Sequence, residues 1–266
     1  MRYGLIAGNG RFPELALESA RQLGHDVTVI AIQEEASKNV EALAPRCYWI
    51  SLGQLSKLID ILKKEGITEV VMCGQVKHAK IFSSIVPDWR LVMLLATLPS
   101  KNTDCLIVGV IKVLEGEGIH LSDSTALLKP MLATAGAMTK RKPEKDEAID
   151  IEYGRRVADA LAGFDVGQSV AICERACVAL EAMEGTDTML RRAGSLVNGR
   201  RLSLVKVARR REHLLFDVPV VGLATIPAMR ETGTTVLAVE AGRTLMLDRE
   251  EMLREANQAN ICIVGF

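Results

Sequence analysis

Aromatic side chains are scarce in this chain. Two Trp, three Tyr and five Phe make up 4% of its 266 residues, too few exposed rings to stack nucleic-acid bases. An excess of either charge is missing too: Lys plus Arg and Asp plus Glu number 33 each. A general nucleic-acid binder carries a basic excess, so no nucleic acid is expected as a partner. No stretch reaches the roughly eighteen uncharged apolar residues of a membrane-spanning helix. The opening Met1-Arg2-Tyr3-Gly4-Leu5-Ile6-Ala7-Gly8 lacks the core of a signal peptide and reads as a first strand entering a glycine turn. The six cysteines are scattered; Cys173 and Cys177 stand at helical spacing with no histidine pair beside them. That excludes a zinc knuckle and leaves reduced core thiols in a cytoplasmic protein. A Walker lysine loop and a nucleophile elbow are also lacking, which excludes P-loop ATP hydrolysis and serine chemistry.

What is present is apolar surface in the right pattern. Hydrophobic residues make up 48% of the chain, and the length suits two domains. Residues 1–8 read as a strand, 14–23 as a helix with leucines and alanines on one face, and 27–32 as a second strand. Strand, glycine turn, helix, strand begins a βαβ unit. Strands at 48–51, 69–74 and 118–121 and helices at 54–65 and 102–115 continue the alternation. Residues 81–98 are helical and unusually apolar, with Asp88 and Arg90 as their charges. A core helix is the plain reading of that segment; a slot for acyl chains or a membrane-facing patch is the sharper one.

Composition then shifts. Met138-Thr139-Lys140-Arg141-Lys142-Pro143-Glu144-Lys145-Asp146-Glu147 is charged and carries a proline, the best linker signal in the chain. The expected architecture is α/β throughout: a Rossmann-like N-terminal domain with a parallel sheet over 1–135 and a mixed α/β C-terminal domain over 140–266. In the second half, 149–161 and 249–257 read as helices, 188–193 as a helical turn, and 169–173, 178–181, 202–207, 218–221, 235–240, 245–248 and 261–265 as strands.

Chemistry concentrates in three places. Phe216-Asp217-Val218-Pro219-Val220-Val221-Gly222 sets one carboxylate in an apolar strand-like run. A buried ionised Asp is stable only against a metal, a cation or hydrogen-bond donors. The bland account is a turn cap or an ion pair with the arginines at 209–211. A second acid group, Glu184-Gly185-Thr186-Asp187, follows Glu181. Oxygen-ligated Mg²⁺ uses one or two carboxylates with waters and substrate phosphates, and Thr186 with the amides around Gly185 offers phosphate contacts. The third place is the turn Gly8-Asn9-Gly10. It has two glycines of the dinucleotide fingerprint, but Pro13 stands where the third belongs. An anion or polar headgroup suits its amides and helix terminus; a plain tight turn is the alternative. Gln168, beside Gly167, offers a contact to a substrate hydroxyl or is simply a turn residue.

These residues together resemble one family. Gly4-Leu5-Ile6-Ala7-Gly8-Asn9-Gly10 with Pro13, Asp165-Val166-Gly167-Gln168, Glu181, Glu184-Gly185-Thr186-Asp187 with Met189-Leu190, Phe216-Asp217-Val218-Pro219 with Gly222, and Val239-Glu240-Ala241-Gly242 with Leu247-Asp248 are similar, in order, to the LpxI family. Its members are the UDP-2,3-diacylglucosamine pyrophosphatases of lipid A synthesis. The resemblance implies Mg²⁺-dependent hydrolysis of UDP-2,3-diacylglucosamine, with water attacking the α-phosphorus to give UMP and 2,3-diacylglucosamine 1-phosphate (lipid X). It implies a lipid headgroup clamped between two domains, with Asp217 as the catalytic residue. It also implies action from the cytoplasm at the inner-membrane surface and a homodimer. The expected metal ligands are Asp217, Asp187 and Glu184; the expected substrate contacts are Gly8, Asn9, Gly10, Gln168 and Thr186.

The run before Asp217 departs from the family. Arg210 stands at a usual proline, Glu212 and His213 at a usual Gln-Asp, and Leu215 at a usual arginine. Those changes recommend a rival class, a non-catalytic binder of nucleotide sugars or lipids. A nicotinamide-dependent oxidoreductase is a third reading, resting on the Gly8 turn alone.

Overall fold

The computed structural model describes residues 1–74, 76, 86–99, 103–164, 166–208 and 218–266. Its contacts divide the chain into two compact units, Met1–Leu128 and, among the described residues, everything from Lys129 onward.

The first unit alternates strand and helix because apolar runs alternate with amphipathic ones. Its described elements are β1 (Arg2–Ala7), α1 (Phe12–Gln22), β2 (Asp26–Ile32), α2 (Asn39–Leu43), β3 (Arg46–Ile50), α3 (Leu55–Lys64), β4 (Glu69–Cys73), α4 (Trp89–Thr97), α5 (Thr103–Gly116) and β5 (His120–Leu121). The strands form one parallel sheet in the order β3-β2-β1-β4-β5. β2 is buried from Val27 to Ile32, as expected of a parallel strand covered on both faces. α3 turns Leu55, Leu58, Ile59, Ile61 and Leu62 inward and ends on Lys63 and Lys64, which complement the negative end of the helix dipole. Burial of each such Leu or Ile stabilises by about 1.5–3 kcal/mol.

The order reverses direction between β1 and β4, and this switch point is held tightly. The Gly8 amide donates to the Cys73 carbonyl at 2.8 Å. Gly74 follows with φ +91°, and a Cβ there would lie 2.6 Å from the Asn9 carbonyl oxygen, so only glycine lets these two turns touch.

The second unit is a six-stranded mixed sheet with helices on both faces. Its elements are β6 (Gly136–Ala137), α6 (Lys145–Gly163), β7 (Ser169–Cys173), β8 (Ala176–Leu180), α7 (Thr186–Leu196), β9 (Leu202–Lys206), β10 (Val220–Gly222), α8 (Thr225–Glu231), β11 (Thr234–Val239), β12 (Leu245–Leu247), α9 (Arg249–Gln258) and β13 (Cys262–Gly265). The order is β6-β13-β11-β9-β7-β8, with β9, β11 and β13 parallel and β6, β7 and β8 joined by antiparallel pairing. β10 and β12 form a separate parallel pair. On one face α6 packs Ile151, Ala158 and Leu161 against Val170, Ile172 and Val205. On the other, Met189 and Leu190 of α7, Ile226 and Met229 of α8 and Met252 of α9 meet Leu204, Leu237 and Ile263.

The charged stretch 138–147, read from composition as a linker, is bound into this second unit. The Met138 amide donates to the Ile263 carbonyl at 2.8 Å, the Ile263 amide to Thr139 Oγ1 at 2.9 Å, and the Lys140 amide to Asn257 Oδ1 at 2.7 Å. Arg141 grips Glu147 with two bonds of 2.7 and 2.8 Å. Glu147 is 1% exposed, accepts from Thr235 Oγ1 at 2.5 Å and caps α6 through the Glu144 amide at 2.8 Å. Composition predicts solvation for such residues; pairing overrides it.

Burial alone would raise the Glu147 pKa, but the bonds from Arg141, Thr235 and Glu144 outweigh it and lower the carboxyl to about 2. A lowered acid stabilises the fold above its unfolded pKa of 4.5 and loses that contribution as pH falls toward 2. We expect chemical denaturation to show about 3 kcal/mol of stability lost across this window through Glu147. Glu147→Gln should flatten that loss while lowering stability near neutrality. An unchanged pH profile in the variant would remove Glu147 as its source.

Candidate functional site

Four polar side chains meet at the carboxyl end of β9. Lys206, its last residue, pairs in the sheet with Ser169, the first of β7. Glu181 follows β8 and is held by its amide, which donates to the Ser169 carbonyl at 2.9 Å. Thr186 opens α7. The Thr186 hydroxyl donates to Glu181 Oε1 at 2.7 Å, accepts from Lys206 Nζ at 2.9 Å and lies 3.2 Å from Ser169 Oγ. Ser169, Lys206 and Glu181 are all buried.

Gly167 makes the closure possible. A Cβ at this position would lie 2.0 Å from the Glu181 carbonyl oxygen. With none there, the turn presses onto the Glu181 backbone, and the Gln168 amide reaches Glu181 Oε2 at 3.4 Å. Burial pushes the Glu181 pKa up, but the Lys206 charge and the Thr186 hydroxyl prevail and hold it below its ordinary value. The carboxylate is therefore ionised at neutral pH. Isolating either charge of such a group costs several kcal/mol, so the two are interdependent.

The expected site residues fall into different settings. Thr186 is inside the cluster, but its single hydroxyl proton is committed to Glu181 and not to a ligand. Gln168 borders the cluster; its amide is used, while its side-chain Oε1 is buried with no hydrogen-bond partner. Glu184 is exposed and spent on Arg192 Nη2 at 2.7 Å and the Ala182 amide at 3.0 Å; the Arg192 guanidinium holds its carboxyl below the usual range. Asp187 sits in the first turn of α7, where a carboxylate complements the helix dipole. Asp217, with Arg210, Glu212, His213 and Leu215, lies outside the described residues, as does Asp165. Among the described residues no three His, Cys, Asp or Glu gather into a metal-binding group.

The N-terminal turn is held by internal hydrogen bonds. The Gly8 amide is already bonded to Cys73, and Asn9 Nδ2 donates to the buried Glu35 at 3.2 Å. What the switch point does border is an apolar cavity of about 160 Å³. It is walled by Ile6, Ile32, Ile50 and Met72 of the strands and by Leu58, Leu91 and Val110 of the helices.

Lys206 is the participant that sequence reasoning missed. Its signal was present: a lone cation ends the apolar run Leu202-Ser203-Leu204-Val205, the same kind of anomaly that draws the eye to Asp217.

Comparison with known proteins adds the family. Residues 2–131 match the model of the LpxI N-terminal domain and residues 134–264 that of the LpxI C-terminal domain. The UDP-2,3-diacylglucosamine pyrophosphatase LpxI of Caulobacter vibrioides is 29% identical over 274 residues, covering 99% of this chain and 97% of that protein. Among solved structures, the biotin carboxylase subunit of pyruvate carboxylase is 14% identical over 64% of this chain, with a TM-score of 0.29. The glycinamide-RNase-transformylase T of Mycobacterium tuberculosis is 13% identical over 65%, with a TM-score of 0.30. The chain covers 34% and 38% of those two structures, and likeness at such scores decides nothing.

The close approach at Gly167 generates a prediction. Gly167→Ala should lower stability by about 1–3 kcal/mol through overpacking, read as a drop in melting midpoint. Gly163→Ala, where a Cβ meets nothing within 4 Å, is the control and should be close to neutral. Equal midpoints for the two variants would refute the packing argument.

Proposed function

This chain belongs to the LpxI family, and on that premise we propose that it hydrolyses the diphosphate of UDP-2,3-diacylglucosamine in lipid A biosynthesis, releasing UMP and 2,3-diacylglucosamine 1-phosphate. The observation that carries this reading is continuity. Both halves of the family are matched in order, and the relative bearing that activity in its name aligns over 99% of the chain. The polar cluster of the second unit supports it, since phosphoryl transfer needs fixed charge around the phosphorus and a positioned water.

The reading includes Mg²⁺, and here the described residues do not by themselves fit the ion: Glu184 is turned to Arg192, and no group of three or more His, Cys, Asp or Glu gathers among them. Magnesium dependence therefore rests on Asp217. Were the ion bound, it would neutralise charge on the diphosphate. The acyl chains have a natural host in the first unit. The lining of the apolar cavity of about 160 Å³ suits an alkyl chain and no charged group. Recruitment from a membrane surface is supported by the outer face of α4 and its approach, where Val86, Trp89, Val92 and Met93 are exposed. No helix among the described residues is long and apolar enough to cross a membrane.

The test is UMP release from UDP-2,3-diacylglucosamine. Release with Mg²⁺, its loss in EDTA, and a fall of at least about a hundredfold in Asp217→Ala are expected. Binding of the substrate without metal-dependent UMP would favour a non-catalytic binder, and equal turnover by Asp217→Ala would remove that residue from the mechanism. Separately, Val110→Phe, which crowds the cavity, should raise KM for the diacylated substrate by about tenfold and leave turnover of UDP-glucosamine unchanged. Equal effects on both substrates would take the acyl chain out of the cavity.

A further inference from the structure

Lys206 is 5% exposed. Lysine is seldom buried so far, because its compact ammonium is strongly hydrated. Its position adds to the anomaly. β9 and β11 run parallel, and Lys206 pairs with Val239 at their carboxyl ends, the edge at which open α/β sheets receive ligands. Three residues beyond Lys206 the chain enters 209–217, the stretch that carries Asp217.

The Thr186 hydroxyl stands between the two charges, donating to Glu181 and accepting from Lys206. This fixes the ammonium in place while keeping it balanced. A cation held this way is screened by salt far less than one on the surface. It also loses no freedom when an anion arrives, which is the property that preorganised charge contributes to phosphate chemistry.

We propose that Lys206 is a positioning residue for the phosphate-bearing substrate: a buried ammonium, fixed by Thr186 and balanced by Glu181, that supplies the standing positive charge against which the anionic diphosphate is held. The inference rests on the reaction proposed above. Glu181 faces the ammonium across the Thr186 hydroxyl, and its charge opposes that of the incoming phosphate. Removing the Glu181 charge therefore strengthens anion binding, and removing the ammonium weakens it.

The experiment titrates UMP into the full-length parent, Lys206→Met, Glu181→Gln and the double variant, with turnover of the UDP-sugar measured alongside. Lys206→Met should raise the Kd for UMP at least about tenfold and lower kcat about a hundredfold. Glu181→Gln should tighten UMP binding about threefold or more, a change that a merely structural role does not produce. Lys206→Met leaves Glu181 buried without its cation and is the variant most at risk of misfolding. The double variant removes both charges, should melt cooperatively, and should bind UMP as weakly as the single Lys206 variant. A folded double variant that binds UMP like the parent overturns the proposal, as does Glu181→Gln with weakened binding. A parent that binds UMP but releases none from the UDP-sugar refutes the reaction and leaves the binding series to decide Lys206. A parent that does neither refutes both.

Discussion

Charge inside a protein has to be answered by charge or by hydrogen bonds, and the second unit is organised around two answers of this kind. Glu147 meets Arg141 and Thr235 at one place; Glu181 meets Thr186 and Lys206 at the other. Both carboxyls are held ionised against burial by their partners. The first ties the chain's entry segment to α6 and β11, so its role is architectural. The second gathers residues from β7, the end of β8, α7 and β9 at the carboxyl end of β9, beside the apolar packing of Met189, Leu190 and Leu204.

The first unit obeys the opposite constraint. Its interior at the switch point is apolar, and the carboxylates beside it meet local donors: buried Glu35 meets Asn9, and half-buried Glu34 meets Ser51 and the Leu52 amide. The parallel sheet brings four strand ends together there, and α3, α4 and α5 roof them without closing the space. The first unit thus holds an apolar lining and the second a fixed pair of charges.

Most of the fold was legible because burial leaves a period in the sequence. β2, β7 and β13 are uninterrupted apolar runs between turn residues, and α3 carries its apolar face at helical spacing. The elements that escaped notice have no such period. α2 is five residues long with one buried side chain. α8 contains Pro227, which reads as a breaker, yet the proline falls in the first turn, where no backbone donor is lost. β6 is Gly136–Ala137 and exists through its pairing with β13. At the site, Thr186, Gln168 and Glu181 were legible as oddly placed polar residues, but which of them donates to which was not, because hydrogen-bond direction depends on neighbours far away in sequence. Lys206 went unread because a lysine closing a strand is ordinarily a solvated one.

The pairing of β6 with β13 has a topological consequence. The first strand of the second unit, β6, and its last, β13, are partners across one ladder, with Gly136 opposite Gly265. A ladder that joins the first strand of a unit to its last works as a clasp: neither strand finds its partner until the chain between them has been drawn together.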